Sequence, residues 1–334
     1  MFRAEYYDSK NKKVIYPLDE ELGLLGVKYD LPFVDNICHL ISFLPYRQVT
    51  DFYNRYFKIS PSETLLKQIV ENIGNKIMES ETASGAFKVS KPINNTKKSV
   101  KTVVSIDGGR CKLKKVKWKE VKMGVIYEHS EEKSFNKYYF GHVDMTSDKF
   151  GEFSKYHFKN YSPQNQELIF LSDGMPYNWE IKNTYYPEAV EILDFYHACE
   201  HLSSFLKQRF VEGSDDFKQW YKKMKGQLYE GELKKFIYQL NHFLISIISR
   251  DKLKTAKREL KYFVKNYHRI DYKKYRDNDY PIGSGVMEGG IKQTVNQRLK
   301  SSEKTWTPRG ANQVLKIKLG VINNNISDVI YKAA

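Results

Sequence analysis

The sequence predicts an α/β protein: a mixed five-stranded sheet with a long helical insertion, preceded by a small helical, helix-turn-helix-like domain. Three observations carry this. Short apolar, β-branched runs recur between residues 102 and 193, with helical stretches after the third and after the fourth. From about His197 to Tyr275 the apolar period is helical throughout. Between residues 35 and 80 two amphipathic helices are joined by a short turn. Period-2 or continuous apolar runs indicate strands and a 3.6-residue period indicates helix.

In chain order, residues 1–34 are mixed and include Pro17-Leu18-Asp19-Glu20-Glu21-Leu22. Ile37, Leu40, Ile41 and Leu44 then recur at helical spacing. Ser60, Pro61 and Glu63 read as the N-cap, first-turn proline and capping-box glutamate of a second helix. Its apolar face runs through Leu65, Leu66, Ile69, Val70 and Ile73 to Gly74. Residues 81–100 are polar and read as a linker. Strands are expected at 102–106, 121–127, 137–143, 168–171 and 189–193, with a helix at 148–158. The expected organisation is 1–80 helical, 101–197 the first part of a sheet-bearing core, 198–279 the insertion and 280–334 the last part. Tyr280-Pro281-Ile282-Gly283-Ser284-Gly285 is a turn, residues 286–300 a helix, and Thr307-Pro308 the capped start of a last helix.

Composition excludes several classes. Of 334 residues 41% are apolar and 28% charged, which excludes global disorder. The longest apolar run, near Phe243–Ser249, is too short for a membrane span, and the N-terminus lacks an apolar signal core. A cytoplasmic, nucleoid-associated protein without membrane contact is expected. Cys38, Cys111 and Cys199 form no CxxC, so neither a disulfide framework nor a thiolate zinc site is indicated. Cys199 beside His197 and His201 reads as a small core hydrophobe. The net charge is +15, and residues 101–125 and 251–309 carry +6 and +8 of it. Clustered positive charge fits a polyanion such as double-stranded DNA. The lysines from Lys112 to Lys119 either track a phosphate backbone or solvate a sheet edge, and Trp306 either stacks on an unpaired base or covers the final helix.

Two of the expected strands end in Asp-Gly, at Asp107 and Asp173, and Glu288 opens the helix after the glycine-rich turn. Lys292, Val295 and Leu299 share its face on a regular helix. Each Asp-Gly alone also fits a simple turn, and a salt bridge to Lys292 would account for Glu288. Together, three carboxylates on rigid elements suit a two-metal phosphoryl-transfer site, and an all-oxygen donor set favours Mg²⁺, with Mn²⁺ able to substitute.

The blocks Ser105-Ile106-Asp107-Gly108-Gly109, Leu171-Ser172-Asp173-Gly174 and Pro281-Ile282-Gly283-Ser284-Gly285-Val286-Met287-Glu288-Gly289 resemble the catalytic blocks of bacterial insertion-sequence DDE transposases of the ISKra type. Trp118-Lys119-Glu120-Val121-Lys122, Asp194-Phe195-Tyr196-His197, Arg298-Leu299-Lys300 and Trp306-Thr307-Pro308-Arg309 extend the resemblance over almost the whole chain. It implies an RNase H-like sheet, the 115-residue gap from Asp173 to Glu288 holding the insertion. It implies a catalytic triad Asp107, Asp173 and Glu288 binding two Mg²⁺, with Asp194 and His197 in support. It implies DNA contacts through Lys67, Lys117, Lys119, Lys292, Arg298, Lys300 and Trp306. The partners would be transposon ends and target DNA, met as a homodimer or higher oligomer, and the N-terminus is expected to be short for the family. A metal-dependent nuclease without strand transfer, and a silent, domesticated DNA-binding descendant, stand as alternatives.

Overall fold

The computed structural model describes residues 6–8, 13–15, 30–82, 100–161, 167–300 and 305–332. Two compact units result: Met1–Ser90 with Cys111–Lys119 and Thr294–Ala334, and Lys91–Arg110 with Glu120–Gln293. The linker expected at 81–100 lies almost entirely outside the described residues, and the Pro17–Leu22 stretch lies wholly outside them. Among the described residues no helix is long and apolar enough to cross a membrane.

In the first unit, strands β1 (Tyr6–Asp8) and β2 (Lys13–Ile15) form an antiparallel pair. Helices α1 (Leu31–Phe43), α2 (Tyr46–Phe57) and α3 (Glu63–Thr82) follow. The Asp30 carboxylate caps α1 by accepting from the Phe33 N–H at 2.8 Å. The cap of α3 is Ser62 rather than Ser60: its hydroxyl accepts from the Leu65 N–H at 3.1 Å, while the Pro61 carbonyl is taken by the Thr50 hydroxyl. Nor does α3 stop at Gly74. That glycine marks where the backbone passes close to Gln313 of α12 (Pro308–Ile322), which Thr307 caps through Gly310 N–H. Ile37, Cys38 and Ile41, Leu66, Val70 and Ile73, and Val314 and Ile317 form the core of this unit. Lys316, buried on α12, is paired with Glu81 of α3 at 2.7 Å. Helix α13 (Ile326–Lys332) ends the described chain.

The five-stranded mixed sheet has strands β3 (Lys101–Leu113), β4 (Val116–Ser130), β5 (Lys133–Val143), β6 (Glu167–Ser172) and β7 (Val190–Leu193) in the spatial order β5-β4-β3-β6-β7. Three sequential neighbours, with β6 added beside β3 and β7 beside β6, make it an RNase H-like sheet. β4 and β5 are antiparallel around Glu131 and Glu132, both with positive φ, as a two-residue hairpin turn requires. β3 pairs parallel with β6, and β6 with β7. Residues 102–106 of β3 are all buried, the signature of a central strand covered on both faces. Contrary to the sequence reading, β3 does not end at Asp107. The turn falls at Lys114–Lys115, where Lys115 adopts φ 66°, so Asp107-Gly108-Gly109 remains extended.

Helices α4 (Ser147–Tyr161) and α5 (Pro176–Tyr185) cover the sheet, with the Ser154 and Tyr186 hydroxyls bonded at 2.6 Å. Helices α6 (Phe195–Leu206), α7 (Asp215–Tyr229), α8 (Leu233–Ile245), α9 (Arg250–Lys265) and α10 (Tyr272–Asp277) form the insertion. Its core includes Phe236 edge-on to Phe263 at 4.9 Å. The helix expected over 286–300 is two structures. Helix α11 (Gly285–Ile291) gives way to a π-helix over Lys292–Leu299, seen in the i+5 bond from Lys300 N–H to Val295 O at 2.7 Å. Lys292 still closes an α-helical bond to Glu288 O, so the wider turn takes only Val295 and Leu299 off the regular stripe.

Candidate active site

Register brings the carboxylates to one edge of the sheet. Ile106 lies opposite Ser172, and Ser172 opposite Leu193. The next residue of each strand is an aspartate: Asp107, Asp173 and Asp194. They sit side by side beyond the last paired residues of three parallel strands, where α/β sheets place ligand sites. Asp107 and Asp173 are half-buried and Asp194 is fully buried.

Each carboxylate is held differently. Asp107 Oδ1 accepts from the Gly108 N–H at 2.6 Å. Asp173 Oδ1 accepts from the Met175 N–H at 3.0 Å and from Asn178 Nδ2 at 3.0 Å. Asn178 is fully buried, and its amide also faces the Ser172 hydroxyl at 2.8 Å and the Ile106 carbonyl at 3.3 Å, so one side chain binds the ends of β3 and β6 to Asp173. Asp194 caps α6 through the His197 N–H at 2.6 Å and accepts from the Ser284 N–H at 2.5 Å. A backbone bond from Phe195 N–H to Ile282 O, 2.8 Å, runs beside it. Asp194 thereby fastens the turn before α11 to the end of β7. The exposed Glu288 then accepts from the Ser284 hydroxyl at 3.2 Å. Gly290 lets α11 lie against the Tyr139 ring, whose hydroxyl donates to Val286 O at 3.1 Å.

The electrostatics link these groups. The Asp107 carboxyl is pushed up to about 6, by burial above all and then by Asp173 and Glu288, against the opposing Gly108 N–H and His197. Three acids therefore act in one field, with too little positive charge among them. The Asp194 carboxylate, 3.4 Å from His197 Nδ1, raises that imidazole to about 9 against its burial. At neutral pH His197 is a cation. Burial raises the Asp194 carboxyl, but the bonds from His197 and Ser284 outweigh it and leave it below its ordinary value.

Four residues not singled out from sequence join the site. Glu120 on β4 approaches Gly108, pairs with Lys122 and accepts from the Tyr177 hydroxyl at 3.2 Å. Burial, then Glu120, Asp173 and Asp107, drive the Tyr177 phenol far above its usual range. From the insertion, the Tyr262 hydroxyl donates to the Asp173 carbonyl at 3.1 Å. The Tyr262 ring stacks on His201 with centroids 3.6 Å apart, and His201 Nδ1 meets the buried Glu259 at 2.5 Å. Gly174, at φ +92°, has no room for a side chain beside the Tyr262 hydroxyl. Glu120 and Lys122 lay within a block already noted in the sequence. Tyr177 and Tyr262 carried no local signal, because their roles come from long-range packing.

Of the residues expected to meet DNA, Lys67, Arg298 and Trp306 line one cavity of the first unit. Lys67 on α3 and Lys300 are exposed, Lys119 and Trp306 are half-buried, and Arg298 is buried. Lys292 is exposed at the start of the π-helix. The side chain of Lys117 lies outside the described residues. The cysteines Cys38, Cys111 and Cys199 are free and buried.

As a metal site, the carboxylates are an all-oxygen donor set of matching charge, the kind that suits Mg²⁺ or Mn²⁺. They are spread out: among the described residues no three His, Cys, Asp or Glu side chains are close enough to hold one ion. Comparison with curated proteins finds no match. A solved strand transfer complex of the Drosophila P element transposase is similar over 93% of this chain and 96% of that one, at 10% identity and a TM-score of 0.43. The family described as Uncharacterised protein family (UPF0236) matches residues 1–328, nearly the full length, and the chain belongs to that family.

Proposed function

We propose that this protein is a DNA transposase, a DDE polynucleotidyl transferase that cleaves and joins strands at the ends of an insertion sequence. The observation that supports it most is the register that puts Asp107 and Asp173 at one level of neighbouring parallel strands, just past the last Ile106–Ser172 pair, with Glu288 acting on the same Asp107 carboxyl. Asp107, Asp173 and Glu288 would hold two Mg²⁺, which when bound supply charge neutralisation and an activated oxygen nucleophile. Burial first, and then the neighbouring Asp173 and Glu288 charges, hold the Asp107 carboxyl up at about 6.

The chain's own residues do the positioning. Asn178 and the Met175 N–H fix Asp173, and Asp194 fixes the turn that carries Glu288. The His197 imidazolium, held by Asp194, adds positive charge on the side where a phosphate would sit. In the first step water attacks phosphorus and loses a proton to solvent, the P–O3′ bond breaks, and the leaving O3′ takes a proton from solvent, so that a 3′-hydroxyl and a 5′-phosphate result. In the second that 3′-hydroxyl attacks a target phosphodiester and releases the target's own 3′-hydroxyl. Bringing two ends together calls for a dimer or larger assembly on DNA.

The test is Mg²⁺-dependent cleavage and strand transfer on labelled end-bearing DNA by Asp107→Asn, Asp173→Asn and Glu288→Gln. Each should lose at least about 100-fold in rate, and a double variant should be little worse than a single, because groups acting as a unit are not additive. Cleavage near the unmodified rate by any of them removes that residue from the set. Cleavage without joining makes the protein a nuclease.

A further inference from the structure

We propose that the first unit carries a nucleotide-binding pocket in which Arg298 meets a phosphate oxyanion while Tyr46 and Trp306 offer aromatic surface to the base. The pocket is a cavity of about 440 Å³, the size of small-ligand sites, and lies within this one unit. Arg47, Lys67, Lys114 and Arg298 line it together with the two aromatics. Glu63 and Glu71 line it too, but both are exposed.

Arg298 is the reason to expect an anion. It is 2% exposed, deeper than a solvated cation should be. Its Nε donates to the Ile41 carbonyl at 2.6 Å, and its guanidinium lies 5.1 Å from the Trp306 ring centroid. Nη2 is buried without a hydrogen-bond partner, and among the described residues no carboxylate pairs with this side chain. An unpaired buried charge is costly, and a planar fork with an unused donor matches a phosphate. Lys318 repeats the pattern: it is buried, its ammonium lies 3.5 Å from the Phe43 ring centroid, and burial together with Arg298 lowers it to about 8. Two buried cations repelling each other leave this unit short of negative charge.

Trp306 is placed by the fold. Its N–H and carbonyl bridge to Lys112 and Lys114 of the β3–β4 turn at 3.0 and 2.7 Å, and its indole donates to Leu299 O at 3.0 Å. The ring is thus fixed, half-exposed, beside the guanidinium. A fixed aromatic face next to a basic group is how single nucleotides are held without base-specific hydrogen bonds.

The proposal rests on the nucleic-acid reading above but not on the carboxylates. The experiment titrates the full chain with dAMP, a single-stranded 12-mer and inorganic phosphate, following tryptophan fluorescence. Either nucleotide ligand should change the signal, and Trp306→Phe should abolish that change. Lys67→Ala/Lys114→Ala, both exposed positions, should weaken binding at least tenfold without altering the melting temperature; Arg298→Gln should weaken it further wherever it remains folded. Binding of dAMP assigns the site to a free nucleotide, and binding of the 12-mer alone to a nucleotide within a strand. The proposal is overturned if Trp306→Phe keeps the signal, if the lysine variant binds as tightly, or if phosphate binds as well as dAMP and the 12-mer. Asp107→Asn should bind these ligands unchanged. Loss of cleavage in that variant with intact affinity in the pocket variants removes the pocket and keeps the catalytic reading. The opposite pattern keeps the pocket and removes that reading.

Discussion

Asp194 shows how one side chain can organise a site without entering it. Its two oxygens reach the N-terminus of α6 and the turn before α11, so its removal would loosen Glu288 through two elements at once. Its bond to His197 has a definite pH signature. The folded-state value of His197, about 9, lies above its ordinary 6.5, so the pair's contribution is complete below about pH 6.5 and is lost as pH rises through about 9. Asp194 is depressed, so its own contribution is present above its ordinary value of 3.8 and is lost as pH falls. His197→Gln should therefore be less stable than the unmodified protein at pH 6, with the gap closing by pH 10. Partial exposure of His197 keeps the difference to about 1 kcal/mol. Urea unfolding across that range measures it, and a gap independent of pH would mean that the imidazole acts by packing alone. Asn178→Ala belongs to the same scale. It strips a buried donor from three acceptors, so stability should fall by about 1–3 kcal/mol, and cleavage should fall more than DNA binding does.

At the level of elements, two glycines on helices give opposite expectations. Gly74 of α3 faces the Gln313 backbone of α12, where an added Cβ would lie 2.8 Å from Gln313 Cα. Gly74→Ala should destabilise the protein by about 1–3 kcal/mol, because backbone cannot swing aside and the overpacking outweighs alanine's better helix propensity. Gly226 of α7 has nothing within 4 Å of where a Cβ would stand, so Gly226→Ala should stabilise by about 0.5–1 kcal/mol. Thermal unfolding of both variants checks the pair. The same contrast explains what the sequence revealed. The strands and their order of appearance were legible, because β-branched runs and buried parallel strands leave a local pattern. The extension of β3 through Asp107 was not, because Asp-Gly also signals a turn and only the pairing across the sheet overrides it. Gly74 looked like a helix end for the same reason: a glycine needed for close approach and one needed for a left-handed cap are identical in sequence. The π-helix over 292–299 has no period of its own to read, so the expected alignment of Glu288 with Lys292 holds but does not extend to Val295 and Leu299. In the candidate site, Asp107, Asp173 and Asp194 were visible as polar residues after apolar runs, whereas Tyr177 finds Glu120 57 residues away and Tyr262 finds Asp173 89 residues away, pairings that no local pattern records.

Charge is a property of the whole molecule, and its sign divides binding from chemistry. The surplus of 15 positive charges is concentrated in residues 101–125 and 251–309, the segments that also carry Asp107 and Glu288, while Asp173 lies outside them. Affinity for DNA should therefore come from lysine and arginine side chains neutralising phosphates, which releases counterions and makes binding fall steeply with salt. Lys112 and Lys115, both exposed at the β3–β4 turn, are suited to a test. Lys112→Gln/Lys115→Gln should reduce the slope of log affinity against log salt by up to about 2, roughly 0.9 for each phosphate no longer neutralised, and should weaken binding to all DNA sequences alike. Asp107→Asn should do the reverse. It removes a carboxylate that repels phosphate and leaves every lysine in place, so its slope should be unchanged and its affinity equal or higher. Fluorescence anisotropy with one duplex at several salt concentrations measures both variants. An unchanged slope in the lysine variant would exclude this turn from the phosphate-binding surface, and a steep loss of affinity in Asp107→Asn would mean that the carboxylate edge supports the DNA-binding surface rather than only the chemistry.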